Sequence, residues 1–291
     1  MASLADTVLE AHLHRLQLLG HSEGSVYARR RALIRMQALI PVPLLEASGQ
    51  DLAAWREQLL ELTPASVRGY VSHARSFYDW AIGAGLLEQN PAAALPVPRR
   101  PRMLPRPIGA EDLAVALAAA PGRIRPWLVL AAWAGLRAKE IALLRRDHVL
   151  DGARPPVLLI AADATKGHAE RTVPLSVFVL AEVVPGLPRS GWAFRRHDGG
   201  RGPNHPSLIS HLANRHLHGC GSPATLHQLR HRFASEAYHA SRDLRIVQEL
   251  LGHRDPATTA GYAAFDRSDA RAAVEAIPPP VSRNQKMGCD L

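Results

Sequence analysis

Three short stretches of this chain set basic and nucleophilic side chains at spacings that could do chemistry. In AGLRAKE, Gly135 stands two residues before Arg137, where a glycine can turn the chain and let a new helix start at the arginine. In TLHQLRHRFAS, Thr225 and Gln228 make a capping-box pattern, which predicts a helix that begins there with His227 in its first turn. His227 and Arg230 are three apart and share a face beside that helix end, where free amide groups and the macrodipole favour an anion such as phosphate. In LLGHRDPATTAGY, His253 precedes a helix start at Asp255 with Pro256 in the first helical position, and Tyr262 follows nine residues after His253.

Each stretch has a plainer reading beside it. A lone Arg137 is ordinarily a surface arginine. His227 alone is an ordinary early-helix residue, and a tyrosine near a chain end is usually half-buried packing. His227 and His231, four apart on one helix, also have the spacing of a shared zinc ion, yet position 228 is glutamine where a zinc-protease motif carries glutamate. His216, His218 and Cys220 lack a fourth ligand at a familiar spacing. Both histidine groups therefore read as structural, and no metal is expected.

The elements that must position these residues are mostly helical. Four helical patterns fill the first ninety or so residues. Leu9, Leu13 and Leu16 mark the first, and Leu33, Met36 and Ile40 the second. Leu52, Trp55, Leu59 and Leu62 mark the third, and Val67, Tyr70, Val71, Ala74, Phe77, Tyr78 and Ala81 the fourth. Ser48 and Thr63 are the expected caps of the last two. The polar faces carry Arg29, Arg30, Arg31 and Arg35 on one helix and Arg68 and Arg75 on another, where a nucleic acid backbone could meet them.

From Leu95 to Pro107 the chain reads LPVPRRPRMLPRP, whose five prolines prevent helix and favour an extended connection. Arg99, Arg100, Arg102 and Arg106 make it a basic strap. Beyond it the pattern is again mainly helical, with one β-hairpin signal: an apolar run at Val157 to Ala161, a turn around Lys166 and Gly167, then Arg171 to Val173. The expected fold class is mainly α with a small β-hairpin, an α+β arrangement. Its expected parts are a helical bundle at 1–94, a linker at 95–107, a mixed domain at 108–277 that holds the three stretches above, and a disordered tail at 278–291.

A net charge of +9 over 291 residues attracts polyanions, because each cation set against a phosphate releases a condensed counterion. The cations are nearly all arginine, with Lys139, Lys166 and Lys286 the only lysines, and arginine suits bidentate phosphate contacts. Two cysteines, Cys220 and Cys289, give no disulfide framework, which fits a reducing cytoplasm. Neither a signal peptide nor a run long enough to span a bilayer is legible, so a soluble protein with no membrane partner is expected.

Taken together, AGLRAKE, TKGHAERTVPL, LHQLRH and LGHRDPATTAGY, in this order, resemble the tyrosine recombinases, also called phage integrases. The resemblance covers the whole second domain, and the helical first domain with its NPAAAL stretch is similar to that family's core-binding domain. It implies that Arg137 is the first catalytic arginine, with Glu140 as its helical companion. It further implies Lys166 as the hairpin lysine, His227 and Arg230 as the histidine and second arginine, His253 as the last histidine and Tyr262 as the nucleophile.

The implied activity is site-specific recombination, by an integrase or resolvase, through a covalent 3′-phosphotyrosyl intermediate without cofactor, metal or ATP. In that scheme the two forked guanidiniums stabilise charge on the phosphate oxygens. His227 is the candidate base, Lys166 protonates the departing 5′-hydroxyl, and His253 hydrogen-bonds a phosphate oxygen. Implied partners are double-stranded DNA at specific sites, a homotetramer on paired sites, and accessory DNA-bending or directionality proteins. In this family a short helix after the nucleophile, here 266–277, often docks on a neighbour. A type IB topoisomerase, a telomere-resolving enzyme and a non-catalytic DNA-binding relative are the alternatives that the same constellation leaves open.

Overall fold

The computed structural model describes residues 4–99, 106–165, 169–196 and 198–252. Lys166, His253, Tyr262, Arg100, Arg102, the expected helix at 266–277 and the expected tail lie outside the described residues. The chain divides into two compact units, Met1–Arg102 and Met103–Leu291. No helix among the described residues is long and apolar enough to cross a membrane.

The first unit is built from four helices, α1 (Leu4–Leu18), α2 (Glu23–Leu39), α3 (Gly49–Glu57) and α4 (Pro64–Gly83). The two expected caps are present. The Ser48 hydroxyl accepts from Asp51 N–H while the Asp51 carboxylate accepts from Ser48 N–H at 2.8 Å, and the Thr63 hydroxyl accepts from Ser66 N–H at 3.3 Å. The apolar stripes meet in one core around Leu13, Leu33, Met36, Leu52, Trp55, Val71, Phe77 and Tyr78. Each such side chain taken from water stabilises the unit by roughly 1.5–3 kcal/mol. α3 is shorter than its apolar stripe: it stops at Glu57, and Leu59 enters the same core from the following turn.

The second unit is centred on α6 (Arg125–Trp133), whose residues Trp127 to Ala132 are all buried. A helix apolar on every side is stable only when enclosed, and α6 is packed against α8 (Val177–Val183), α9 (Pro206–Gly219) and α10 (Leu226–Ser241). α5 (Ala110–Ala118), α7 (Ala138–Ala142) and α11 (Leu244–Leu251) complete its helices among the described residues. The sheet is three-stranded and antiparallel, in the order β1 (Val149–Leu150), β2 (Val157–Ile160), β3 (Arg171–Pro174). The expected hairpin is β2–β3, in a register that sets Ile160 opposite Arg171 and Leu158 opposite Val173. β1 is an addition that the sequence did not announce, since two residues are too few for a legible alternation. Leu158, Ile160 and Val173 point into the core. By the two-residue period of a strand, Arg171 belongs to the same inward face as Val173.

Candidate active site

The first arginine is delivered by a forced turn. α6 ends at Trp133, and Ala134 and Leu136 N–H both donate to the Leu130 carbonyl at 3.1 Å. Between them Gly135 has φ +66°, and a Cβ there would lie 2.8 Å from Phe233 Cε1 and 3.2 Å from Leu251 Cδ2. Conformation and close packing therefore both demand glycine. The chain then enters α7 with Arg137 as its N-cap residue. Glu140, one turn on, reaches back: its Oε2 accepts from Arg137 N–H at 2.8 Å and its Oε1 from Arg137 Nη1 at 3.0 Å.

Glu140 is the centre of the site. Its carboxylate is buried, at 1% exposure, and meets three guanidiniums. Arg171 binds it fork to fork, Nη1 to Oε1 and Nη2 to Oε2, both at 2.9 Å, and Arg230 Nη1 lies 3.6 Å from Oε2. Arg230 comes from the second turn of α10, behind a first turn that Gln228 fastens. The Gln228 Oε1 accepts from Thr225 N–H at 2.8 Å, and its Nε2 donates to the Arg106 carbonyl at 3.0 Å.

The two buried arginines share a second anchor, the C-terminal end of α11. The last carbonyls of a helix lack intrahelical donors and form the negative end of its dipole. Here Leu251 O accepts from Arg230 Nη2 at 2.7 Å and Leu250 O accepts from Arg171 Nε at 2.8 Å. Arg230 Nη1 also donates to the Gly135 carbonyl. Gly252 stops the helix at φ +63°, and a Cβ on it would lie 3.0 Å from Arg171 Cδ. The helix end is thus stitched to both guanidiniums through Leu250 and Leu251, three and two residues before His253.

The electrostatics follow from this packing. Burial alone would raise the Glu140 pKa, but hydrogen bonds from Arg171, the charges of Arg171 and Arg230 and the Arg137 N–H together hold it below its ordinary value. Among the described residues this carboxylate faces three permanent cations, of which Arg137 is the most open to solvent at 28% side-chain exposure. His227 lies in the first turn of α10, and desolvation, with the Arg230 and Arg137 charges adding, lowers its pKa. Its ring meets His231 edge to face at 4.6 Å, and desolvation, His227 and Arg230 push His231 down to about 4.

The structure therefore brings Arg137, Glu140, His227 and Arg230 into one neighbourhood, together with Arg171, which the reading of motifs passed over as a strand residue. The missed signal was its inward-facing strand position, because a charge on a core face must have a partner. Around the hairpin turn, Ala169 N–H donates to the Thr165 hydroxyl at 3.1 Å, and Lys139 Nζ donates to the Asp163 carbonyl at 2.6 Å, which ties α7 to the approach to Lys166. Among the described residues no group of three or more His, Cys, Asp or Glu could hold a metal ion. His216 Nε2 is instead 2.7 Å from the Ala116 carbonyl.

In the first unit the expected DNA-facing arginines divide. Arg75 donates to the carbonyls of Ala92, Ala93 and Leu95 at 2.8–3.2 Å, and Arg68 to that of Pro98 at 2.7 Å. Arg29 is bonded to Ser76 and Arg30 to Glu10. Arg31, Arg35 and Arg99 are exposed, and the Arg35 guanidinium sits 5.5 Å over the Tyr70 ring.

Comparison with known proteins agrees with this arrangement. The sequence matches the model of the phage integrase family over residues 110–268, more than half of the chain. It is 35% identical over 246 residues to a tyrosine recombinase XerC of Xanthomonas campestris, covering 77% of this chain and 71% of that protein. Among solved structures it is similar in fold to a lambda integrase dimer bound to a COC' core site, with TM-score 0.71, 18% identity and coverage of 88% and 76% of the two chains. It is also similar to a lambda integrase tetramer bound to a Holliday junction, with TM-score 0.68, 19% identity and coverage of 86% and 77%. From the family match, the curated relative and the shared fold, the chain belongs to the phage integrase family of tyrosine recombinases.

Proposed function

We propose that this tyrosine-type site-specific DNA recombinase holds one backbone phosphate of a DNA duplex beside Arg137 and Arg230 and cleaves it with Tyr262. The observation that carries the reading is the convergence, among the described residues, of three guanidiniums on one buried carboxylate, with Arg137 left 28% exposed where it can meet a phosphodiester. The arginines are pre-placed by Glu140 and by helix-end carbonyls, so little reorganisation is needed when charge grows on the non-bridging oxygens.

In the cleavage step the Tyr262 oxygen forms a bond to phosphorus and the bond to the 5′-oxygen breaks. The phenol, with an ordinary pKa of about 10, gives its proton to His227, whose lowered pKa keeps it neutral and able to accept. Lys166 protonates the leaving 5′-hydroxyl, and His253 hydrogen-bonds a phosphate oxygen. The phosphotyrosyl bond conserves the energy of the broken link, so a 5′-hydroxyl of another strand reseals it. Four protomers on two duplexes would exchange strands in two rounds, with Arg31, Arg35 and Arg99 meeting phosphates. The fold shared with an integrase solved as a tetramer on a junction supports that assembly.

The test is incubation with a nicked duplex that carries a candidate site and lets the cleaved fragment diffuse away. A covalent protein–DNA adduct that is absent in Tyr262→Phe is expected. An adduct that persists in Tyr262→Phe would overturn the assignment.

A further inference from the structure

We infer that Arg171 is a positioning residue for strand cleavage, one whose forked guanidinium sets the relative placement of Arg137, Arg230 and the α11 end. The inference rests on the active-site reading above and adds a residue to it. Arg171 opens β3, the strand that leaves the Lys166 turn, and its side chain is 7% exposed. All three of its guanidinium nitrogens are used. Two bind the Glu140 carboxylate at 2.9 Å each and the third donates to Leu250 O at 2.8 Å.

Those partners are the parts that have to agree in space for the reaction to proceed. Glu140 holds both the backbone and the side chain of Arg137. Leu250 precedes the residue whose carbonyl holds Arg230 and lies three positions before His253. One planar group thus links the hairpin strand, the α7 carboxylate and the α11 end, which are far apart in sequence. Its guanidinium is spent on Glu140 and Leu250, so its effect passes through the groups it holds.

The fork is what a lysine cannot reproduce. An ammonium keeps the charge and most of the bulk but is a point donor, unable to bind two carboxylate oxygens with a fork while also reaching a carbonyl from another edge of the same group. Misplacement by about 1 Å costs on the order of 100-fold in rate while leaving ground-state contacts largely intact. DNA affinity, which comes from many phosphate contacts, is expected to move little.

The experiment compares the wild type, Arg171→Lys and Arg171→Gln as full-length chains on the nicked duplex, measuring single-turnover adduct formation, DNA affinity and melting temperature. For Arg171→Lys we expect adduct formation 10- to 100-fold slower, with DNA affinity within about three-fold of wild type; Arg171→Gln should be slower still. Two results overturn the inference. One is a Lys variant that forms adduct within two-fold of the wild-type rate. The other is rate and affinity falling in parallel with melting temperature, which marks a merely structural residue. If the wild type itself forms no adduct that Tyr262→Phe abolishes, the active-site reading has failed, and that result is separable from a failure confined to Arg171.

Discussion

Arg171 and Glu140 face each other fork to fork, two nitrogens against two oxygens at 2.9 Å, with the carboxylate wholly enclosed. The pair is 31 residues apart in sequence, and Arg137 and Arg230 are arranged about it. Because buried ions are costly unless paired, the behaviour of this carboxylate under substitution and acid is a direct measure of how the second unit is held.

Glu140→Gln keeps the shape and removes the charge that Arg171 and Arg230, both nearly enclosed, share. A loss of about 3–5 kcal/mol is expected, read by urea unfolding. The sign of the pH effect follows from the depressed pKa of Glu140. Its contribution is fully present above the unfolded value of about 4.5 and is lost as pH falls through the lower folded value. The wild type should therefore lose stability as pH falls below about 4.5, and Glu140→Gln should lose less there. Equal acid sensitivity in the two proteins would count against the pair.

Gly135→Ala introduces a Cβ at φ +66° and 2.8 Å from Phe233 Cε1. The left-handed backbone costs about 1–2 kcal/mol and the clash a further 1–3 or so. Adding Phe233→Ala to Gly135→Ala should relieve the clash and leave the backbone cost, so the two changes combine less than additively in thermal melts. Strict additivity would show that the glycine is needed for conformation alone.

His12 is a buried base with no partner. It is 1% exposed, packs 5.5 Å from Phe77 and 5.1 Å from Trp80, and neither ring nitrogen is hydrogen-bonded. Burial, with Arg29 and Arg15 adding, lowers its pKa to about 4 from 6.5. The unfolded chain binds the proton first, so stability of the first unit falls as pH drops from 6.5 towards 4, by on the order of 3 kcal/mol in total. His12→Leu should remove that slope and raise the melting temperature at pH 5. A slope of undiminished size in the variant would point to other groups.

The arginines of the first unit should separate by assay. Arg75→Met loses donors to three carbonyls and is expected to lower stability by about 1–3 kcal/mol. Arg31→Ala, at an exposed position, should leave melting unchanged, weaken DNA binding and reduce the salt slope of affinity by about 1. A loss of DNA affinity confined to Arg75→Met with unaltered melting would reverse the division.

What the sequence determined by itself is local. The caps at Ser48 and Thr63, the α10 start at Thr225 and Gln228, the turn at Gly135 and the β2–β3 hairpin were all legible, because each rests on hydrogen bonds or side-chain periods within a few residues. The family motifs likewise picked out Arg137, Glu140, His227 and Arg230, which the structure gathers together. Only the tertiary structure decided that Arg171 closes on Glu140, and that Arg230 spans from Gly135 to Leu251, partners 95 and 21 residues away. It also decided that Arg75 serves carbonyls of its own unit. The physical reason is that an arginine's choice between solvent, phosphate and a buried acceptor depends on which groups the closed core leaves unpaired, and that is settled only when distant segments exclude water together.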